Sequence, residues 1–180
     1  MTMDVLFIHG GGDDGYGADK PLAESLRHHL GADYKVHFPK MPSEELPDFG
    51  WLDKIGKEMD ALAGPIVLVG HSLGASMLLR YLSERAVSRP IRGLFLLATP
   101  FWSGDEDWKS GLKLRKDFAR TLPKDVPIFL YQNEDDEEVD QAQFAVYRKE
   151  LPQATVRVSP TGGHQFNDDL EVVARDIAGV

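Results

Sequence analysis

The chain has no cysteine among its 180 residues. Disulfides, thiolate nucleophiles and cysteine-ligated metal centres are therefore all excluded. Basic residues are also in deficit, with 20 lysines and arginines against 29 aspartates and glutamates and a formal charge of −9. A general nucleic-acid binder needs a basic face to neutralise phosphates, and this balance argues against one. No stretch approaches the roughly 20 apolar residues that a membrane helix requires. The amino terminus, MTMDVLFIHGGG, carries an acidic residue where an export signal wants lysine or arginine. These absences lead us to expect a cytoplasmic protein with no membrane or nucleic-acid partner. Internal repeats and low-complexity linkers are missing too, so the length prior gives one domain over residues 1–180.

What is present is an alternation of short apolar runs with longer amphipathic ones. Six runs read as strands: DVLFIH from Asp4, YKVHF from Tyr34, PIVLVG from Pro65, IRGLFLLA from Ile91, VPIFLYQ from Val126 and ATVRVS from Ala154. Several are continuously apolar, as expected of strands covered on both faces. Between them lie helical stripes: Trp51, Leu52, Ile55, Met59 and Leu62; then Leu73, Met77, Leu78, Tyr81 and Leu82; then Leu170, Val173 and Ile177. The pattern predicts an α/β fold, a doubly wound and mostly parallel six-stranded sheet with helices on both faces. In such a sheet the ligand site lies beyond the carboxyl ends of the strands, near the point where strand order reverses. The proline-rich FPKMPSEELPDFGW is expected to be a loop, and the long connection FWSGDEDWKSGLKLRKDFARTL to hold a helix of its own.

The segment IVLVGHSLGAS places Ser72 between Gly70 and Gly74, directly after a strand and before a helix. It fits G-x-S-x-G, in which a strained turn presents the serine hydroxyl. Side chains at the two glycine positions would collide as strand and helix fold together. A serine that only caps a helix has no need of that pairing.

A serine hydroxyl needs a base to take its proton. His164, in SPTGGHQF after the sixth strand, is the candidate, with two glycines that let its loop bend inward. His28 and His29 fall on a helix, His37 lies inside a strand, His71 points elsewhere along the serine turn, and His9 braces the glycine run. The base in turn needs a buried carboxylate to fix its tautomer. In YQNEDDEEVD after the fifth strand, Asp136 is the choice because Val139, three residues on, should anchor the next helix; Asp135 is the alternative. The cluster lacks the glycine and ligand spacing of a calcium loop, and no metal is expected.

Acyl transfer also calls for donors aimed at the developing oxyanion. The amide of Leu73 is one, and the loop HGGGDDGYG supplies the other, from Gly11 with Gly12 as the alternative. The same run matches G-x-G-x-x-G. Asp13 and Asp14 would repel a pyrophosphate, however, the next helix starts only near Lys20 or Pro21, and the second strand ends without an acid for a ribose. No cofactor is expected.

With these residues placed, the sequence resembles the α/β-hydrolases, and more narrowly the small serine hydrolases grouped with the retinoblastoma-binding serine hydrolase and its bacterial relatives. FIHGGG, WLDKI, LVGHSLGA, LLATPF, NEDDEEV and GGHQF carry the resemblance in the family's order. It implies a compact fold with a minimal lid, a triad of Ser72, Asp136 and His164, and cofactor-free hydrolysis of esters. Candidate pocket walls are Phe101, Trp102 and Trp108, with Tyr16 and Met41 as further possibilities, and with little lid a shallow site for small or short-acyl esters is expected. The alternative is a hydrolase fold kept as a protein-interaction module.

Overall fold

The structure, a computed structural model, describes residues 2–42 and 50–180. Seven residues of the proline-rich loop, 43–49, thus lie outside the described residues. In chain order the elements are β1 (Met3–Ile8), α1 (Gly15–Ala18), α2 (Lys20–Leu30), β2 (Tyr34–His37), α3 (Trp51–Ala61), β3 (Ile66–His71), α4 (Leu73–Glu84), β4 (Ile91–Leu97), α5 (Phe118–Thr121), β5 (Ile128–Asn133), α6 (Gln141–Glu150), β6 (Thr155–Ser159) and α7 (Glu171–Ala178). All six expected strands form. They make one sheet in the order β2-β1-β3-β4-β5-β6, and every pairing is parallel.

The continuous apolar runs follow from that topology. Alternate residues of each central strand serve opposite faces. Leu6, Ile8, Leu68, Leu94 and Leu130 pack beneath α3, α4 and α6, joined there by Ile55, Leu78 and Tyr147. Val5, Phe7, Val69, Phe95 and Leu97 pack beneath α2 and α7, with Leu26, Val173 and Ile177. A strand covered on both sides has no polar face to offer.

Two expectations need adjustment. The long connection after β4 holds no extended helix, only a single 3-10 turn at Asp107–Lys109 and the four-residue α5. Its buried residues Leu112, Phe118 and Leu122 are spaced six and four apart, too irregular for one helical stripe, so they pin an otherwise exposed loop. The extra turn α1, unforeseen in the sequence, sits inside the glycine-rich segment. Among the described residues no helix is long and apolar enough to cross a membrane.

Register decides where the loops emerge. Ile8 lies beside Gly70, His71 beside Leu97, Leu97 beside Tyr131, and Asn133 beside Ser159. The chain leaves β1 toward one edge and later returns at β3 on the other side of it. The loops after β1 and β3 therefore flank the reversal of strand order, where an open parallel sheet forms its crevice.

Candidate active site

Ser72 stands between the last residue of β3 and the first of α4 with φ 51° and ψ −123°. That conformation is sterically costly for a residue with a Cβ, of order 1–3 kcal/mol. The surroundings enforce it. The Ser72 amide donates to the Leu97 carbonyl at 2.9 Å, and its own carbonyl accepts the amides of Ala75 and Ser76 at 3.0 and 3.2 Å. A Cβ on Gly70 would come within 2.6 Å of the Ala75 Cα, and one on Gly74 would overlap the carbonyls of Ile8 and His9. Both glycines are thus required by the close passage of α4 over β3 and β1.

His164 Nδ1 donates to the Asp136 carboxylate, 3.0 Å from Oδ2 and 3.1 Å from Oδ1. The Asp136 side chain is 1% exposed and that of His164 11%. Burial alone would push the Asp136 carboxyl up. The amides of Val139 and Glu138, donating at 2.9 and 2.8 Å, together with the His164 ring outweigh it and hold the group below the usual carboxylate range. Gln132 adds a further donor at 3.0 Å. An ionised Asp136 obliges Nδ1 to carry the proton, which leaves Nε2 as the basic nitrogen.

Asp135 is directed elsewhere. Its carboxylate accepts the amides of Gly163 at 2.8 Å and Gly162 at 3.2 Å, tying the loop that carries His164. Asn133 Nδ2 donates to the Gly163 carbonyl at 2.8 Å and fixes the same loop from the end of β5.

Ser72, His164, Leu73 and Gly11 all line one cavity of about 530 Å³, within the range of small-molecule sites. Leu73 opens α4, so its amide is among the N–H groups the helix leaves unpaired. Ser72 and His164 form no direct hydrogen bond here; such contacts are often long without substrate and tighten with it. Gly12 also lines the cavity. Among the described residues, no group of three histidine or carboxylate side chains is placed to hold a metal ion.

The predicted pocket walls divide. Trp102 and Trp108 line the cavity, edge to face with centroids 5.9 Å apart. Phe101 does not. Its amide donates to Gln143 Oε1 at 2.9 Å and its ring meets Tyr147 edge-on at 5.6 Å, which turns it toward the core beside α6. Tyr16 and Met41 line a neighbouring cavity instead, next to His9 and Trp51. His9 does brace the glycine run: Met41 N donates to its Nε2 at 2.9 Å, and Nδ1 donates to the Gly10 carbonyl at 2.6 Å.

Sequence reasoning missed Asp19, Glu138 and Gln165, which line the cavity, and it misjudged His71. His71 faces the loop that carries His164, its Nε2 2.9 Å from the His164 carbonyl and its Nδ1 2.8 Å from Asp19 Oδ2. Asp19 precedes α2 and reads as an ordinary cap, yet its side chain makes no cap bond. It takes the Gly10 amide at 2.7 Å instead. Burial raises the Asp19 carboxyl, but the bond and charge of His71 and the Gly10 amide prevail, so the net shift is downward.

Comparison with known proteins places the fold. The solved structure of the ydeN gene product from B. subtilis superposes with a TM-score of 0.80 at 21% identity, covering 99% of this chain and 98% of that one. A thioesterase domain from the curacin biosynthetic pathway gives 0.74 at 19% identity, over 98% and 91%. Est1E from Butyrivibrio proteoclasticus gives 0.73 at 18%, over 99% and 86%. At these identities the likeness is one of fold. No curated protein sequence matches significantly. The model of the alpha/beta hydrolase family matches residues 5–177, and the chain belongs to that family.

Proposed function

We propose that the protein is a serine hydrolase that cleaves small or short-acyl carboxylic esters through an acyl-enzyme on Ser72. The observation that carries this reading is the meeting of a positive-φ serine and a carboxylate-held histidine in one cavity. In the proposed mechanism His164 Nε2 takes the Ser72 proton as Oγ attacks the ester carbonyl. Asp136 stabilises the resulting imidazolium. The amides of Leu73 and Gly11 receive the negative charge on the carbonyl oxygen, each contributing about 3 kcal/mol to lowering the barrier. His164 then protonates the leaving alcohol. Water, activated by the same base, releases the acid and restores the serine.

Two further facts support the reading. Structural neighbours include proteins described as a thioesterase domain, Est1E with bound ferulic acid, and a methylesterase from Arabidopsis. The motif-level resemblance to the retinoblastoma-binding serine hydrolase group points to the same chemistry. Fluorophosphonate labelling and p-nitrophenyl acetate hydrolysis test it, on the wild type and on Ser72→Ala. Labelling and turnover that vanish in the variant are expected; a folded wild type that neither labels nor turns over would sink the reading.

A further inference from the structure

The residue before the nucleophile is the most enclosed histidine of the site. His71 is 1% exposed, and so is Asp19 beside it. A single run of hydrogen bonds passes through the pair. The Gly10 amide donates to Asp19 Oδ2 at 2.7 Å, His71 Nδ1 lies 2.8 Å from the same oxygen, and His71 Nε2 lies 2.9 Å from the His164 carbonyl. This run joins the loop after β1, the serine turn after β3 and the histidine loop after β6.

Both ring nitrogens of His71 are engaged, Nδ1 with the Asp19 carboxylate and Nε2 with the His164 carbonyl. A carbonyl oxygen can only accept, so Nε2 donates. Loss of either bond would leave a polar group unsatisfied in a buried place, which is costly. The His164 ring is only 4.8 Å away, centroid to centroid, so the ring that holds its backbone also packs against it.

We propose that His71, clamped between Asp19 and the His164 carbonyl, is a positioning residue that sets the histidine loop against the serine turn. The role rests on the reading of Ser72 and His164 as nucleophile and base. It adds a second buried histidine–carboxylate pair to the site, one that acts on the backbone of the base rather than on its ring. The segment it restrains is strained: Phe166, Asn167 and Asp168, directly after it, all have positive φ, at 52°, 51° and 56°. Consecutive left-handed residues of this kind are rare and need support from their surroundings.

The test separates the geometry from the activity. Ring-nitrogen NMR of the wild type is expected to show a protonated His71 Nε2 coupled to the His164 carbonyl; a bare Nε2 would overturn the clamp. In His71→Gln the amide carries donors at one end only, so it can serve Asp19 or the His164 carbonyl but not both; His71→Ala serves neither. His71→Ala is expected to lose about 10²-fold in kcat, as a base displaced by about 1 Å would, with KM little changed, and His71→Gln to lose less. The ring signals of His164 should move in both variants, further in His71→Ala, a readout that needs no turnover. Unmoved His164 signals in either folded variant would defeat the positioning role. A wild type that fails to label with fluorophosphonate defeats the hydrolase reading alone.

Discussion

Asp135 and Asp136 are neighbours in sequence, yet they hold different parts of the same histidine loop. Asp136 binds the His164 ring at 3.0 Å, whereas Asp135 binds the backbone amides of Gly162 and Gly163. One carboxylate fixes the tautomer of His164 and the other fixes where its loop runs. Asp136→Asn is expected to reduce kcat by about 10⁴-fold with the fold intact, because an amide facing Nδ1 favours the wrong tautomer. Asp135→Asn keeps one acceptor and should cost about tenfold through a looser loop. Steady-state kinetics on p-nitrophenyl acetate separate the two, and equal losses would contradict this division.

The serine turn stores strain that the proposed activity requires and stability does not. At φ 51° and ψ −123° Ser72 occupies a conformation open to glycine at little steric cost. Ser72→Gly relieves strain of order 1–3 kcal/mol and gives back about 0.4–1 kcal/mol in unfolded-chain entropy. A net gain of about 1 kcal/mol, or 2–4 °C in Tm, is expected with complete loss of labelling. Ser72→Ala keeps the Cβ and should show no such gain. Thermal melts of the two variants side by side decide the point.

At Gly74 the expected effect is the opposite. A Cβ there meets the backbone carbonyls of Ile8 and His9, which belong to the central strand and its exit and have nowhere to move. Gly74→Ala should destabilise the protein by about 3 kcal/mol and displace Leu73, whose amide is a candidate oxyanion donor. A lowered denaturation midpoint accompanied by weaker labelling of the folded fraction is the expected pair of results.

The strands, the serine turn and the pairing of Ser72 with His164 in one cavity were legible because each leaves a local mark. Doubly covered strands are apolar throughout, and a strand meeting a helix at close quarters demands Gly70 and Gly74. Asp136 was recognisable from its spacing to Val139, whose amide it accepts. Other features depend on contacts between distant segments. Phe101 looks like a pocket wall until Gln143 and Tyr147, 42 and 46 residues further on, turn it inward. Asp19 sits where a helix cap belongs, and nothing in its neighbourhood discloses that it faces Gly10 and His71. His71 was set aside for the same reason, since its two partners lie 52 and 93 residues away.

That difference between Phe101 and Trp108 predicts opposite phenotypes. Trp108 is 60% exposed and lines the cavity, so Trp108→Ala should raise KM by about tenfold and leave the unfolding midpoint nearly unchanged. Phe101 packs on Tyr147 and its amide is fixed to α6, so Phe101→Ala should cost about 2 kcal/mol of stability and leave KM of the folded enzyme alone. A Phe101 variant of normal stability and altered KM would return that residue to the pocket.

The acid limb of stability follows from the two buried carboxylates. Asp19 and Asp136 are both held below their ordinary range, Asp19 chiefly by His71 and Asp136 chiefly by the Val139 amide and the His164 ring, in each case against burial. In the unfolded chain the same groups bind protons at higher pH, near 4. The stability they supply is therefore complete above that range and is lost as the pH falls through the lower folded values. Urea unfolding between about pH 6 and pH 3 should show a steep decline below pH 5 in the wild type. In Asp136→Asn one of the two proton-linked groups is gone, so the decline should be shallower although the variant starts from lower stability. Parallel curves for the two proteins would mean that Asp136 is not held in its ionised form by the fold, and the assignment of Nδ1 as the protonated nitrogen of His164 would fall with it.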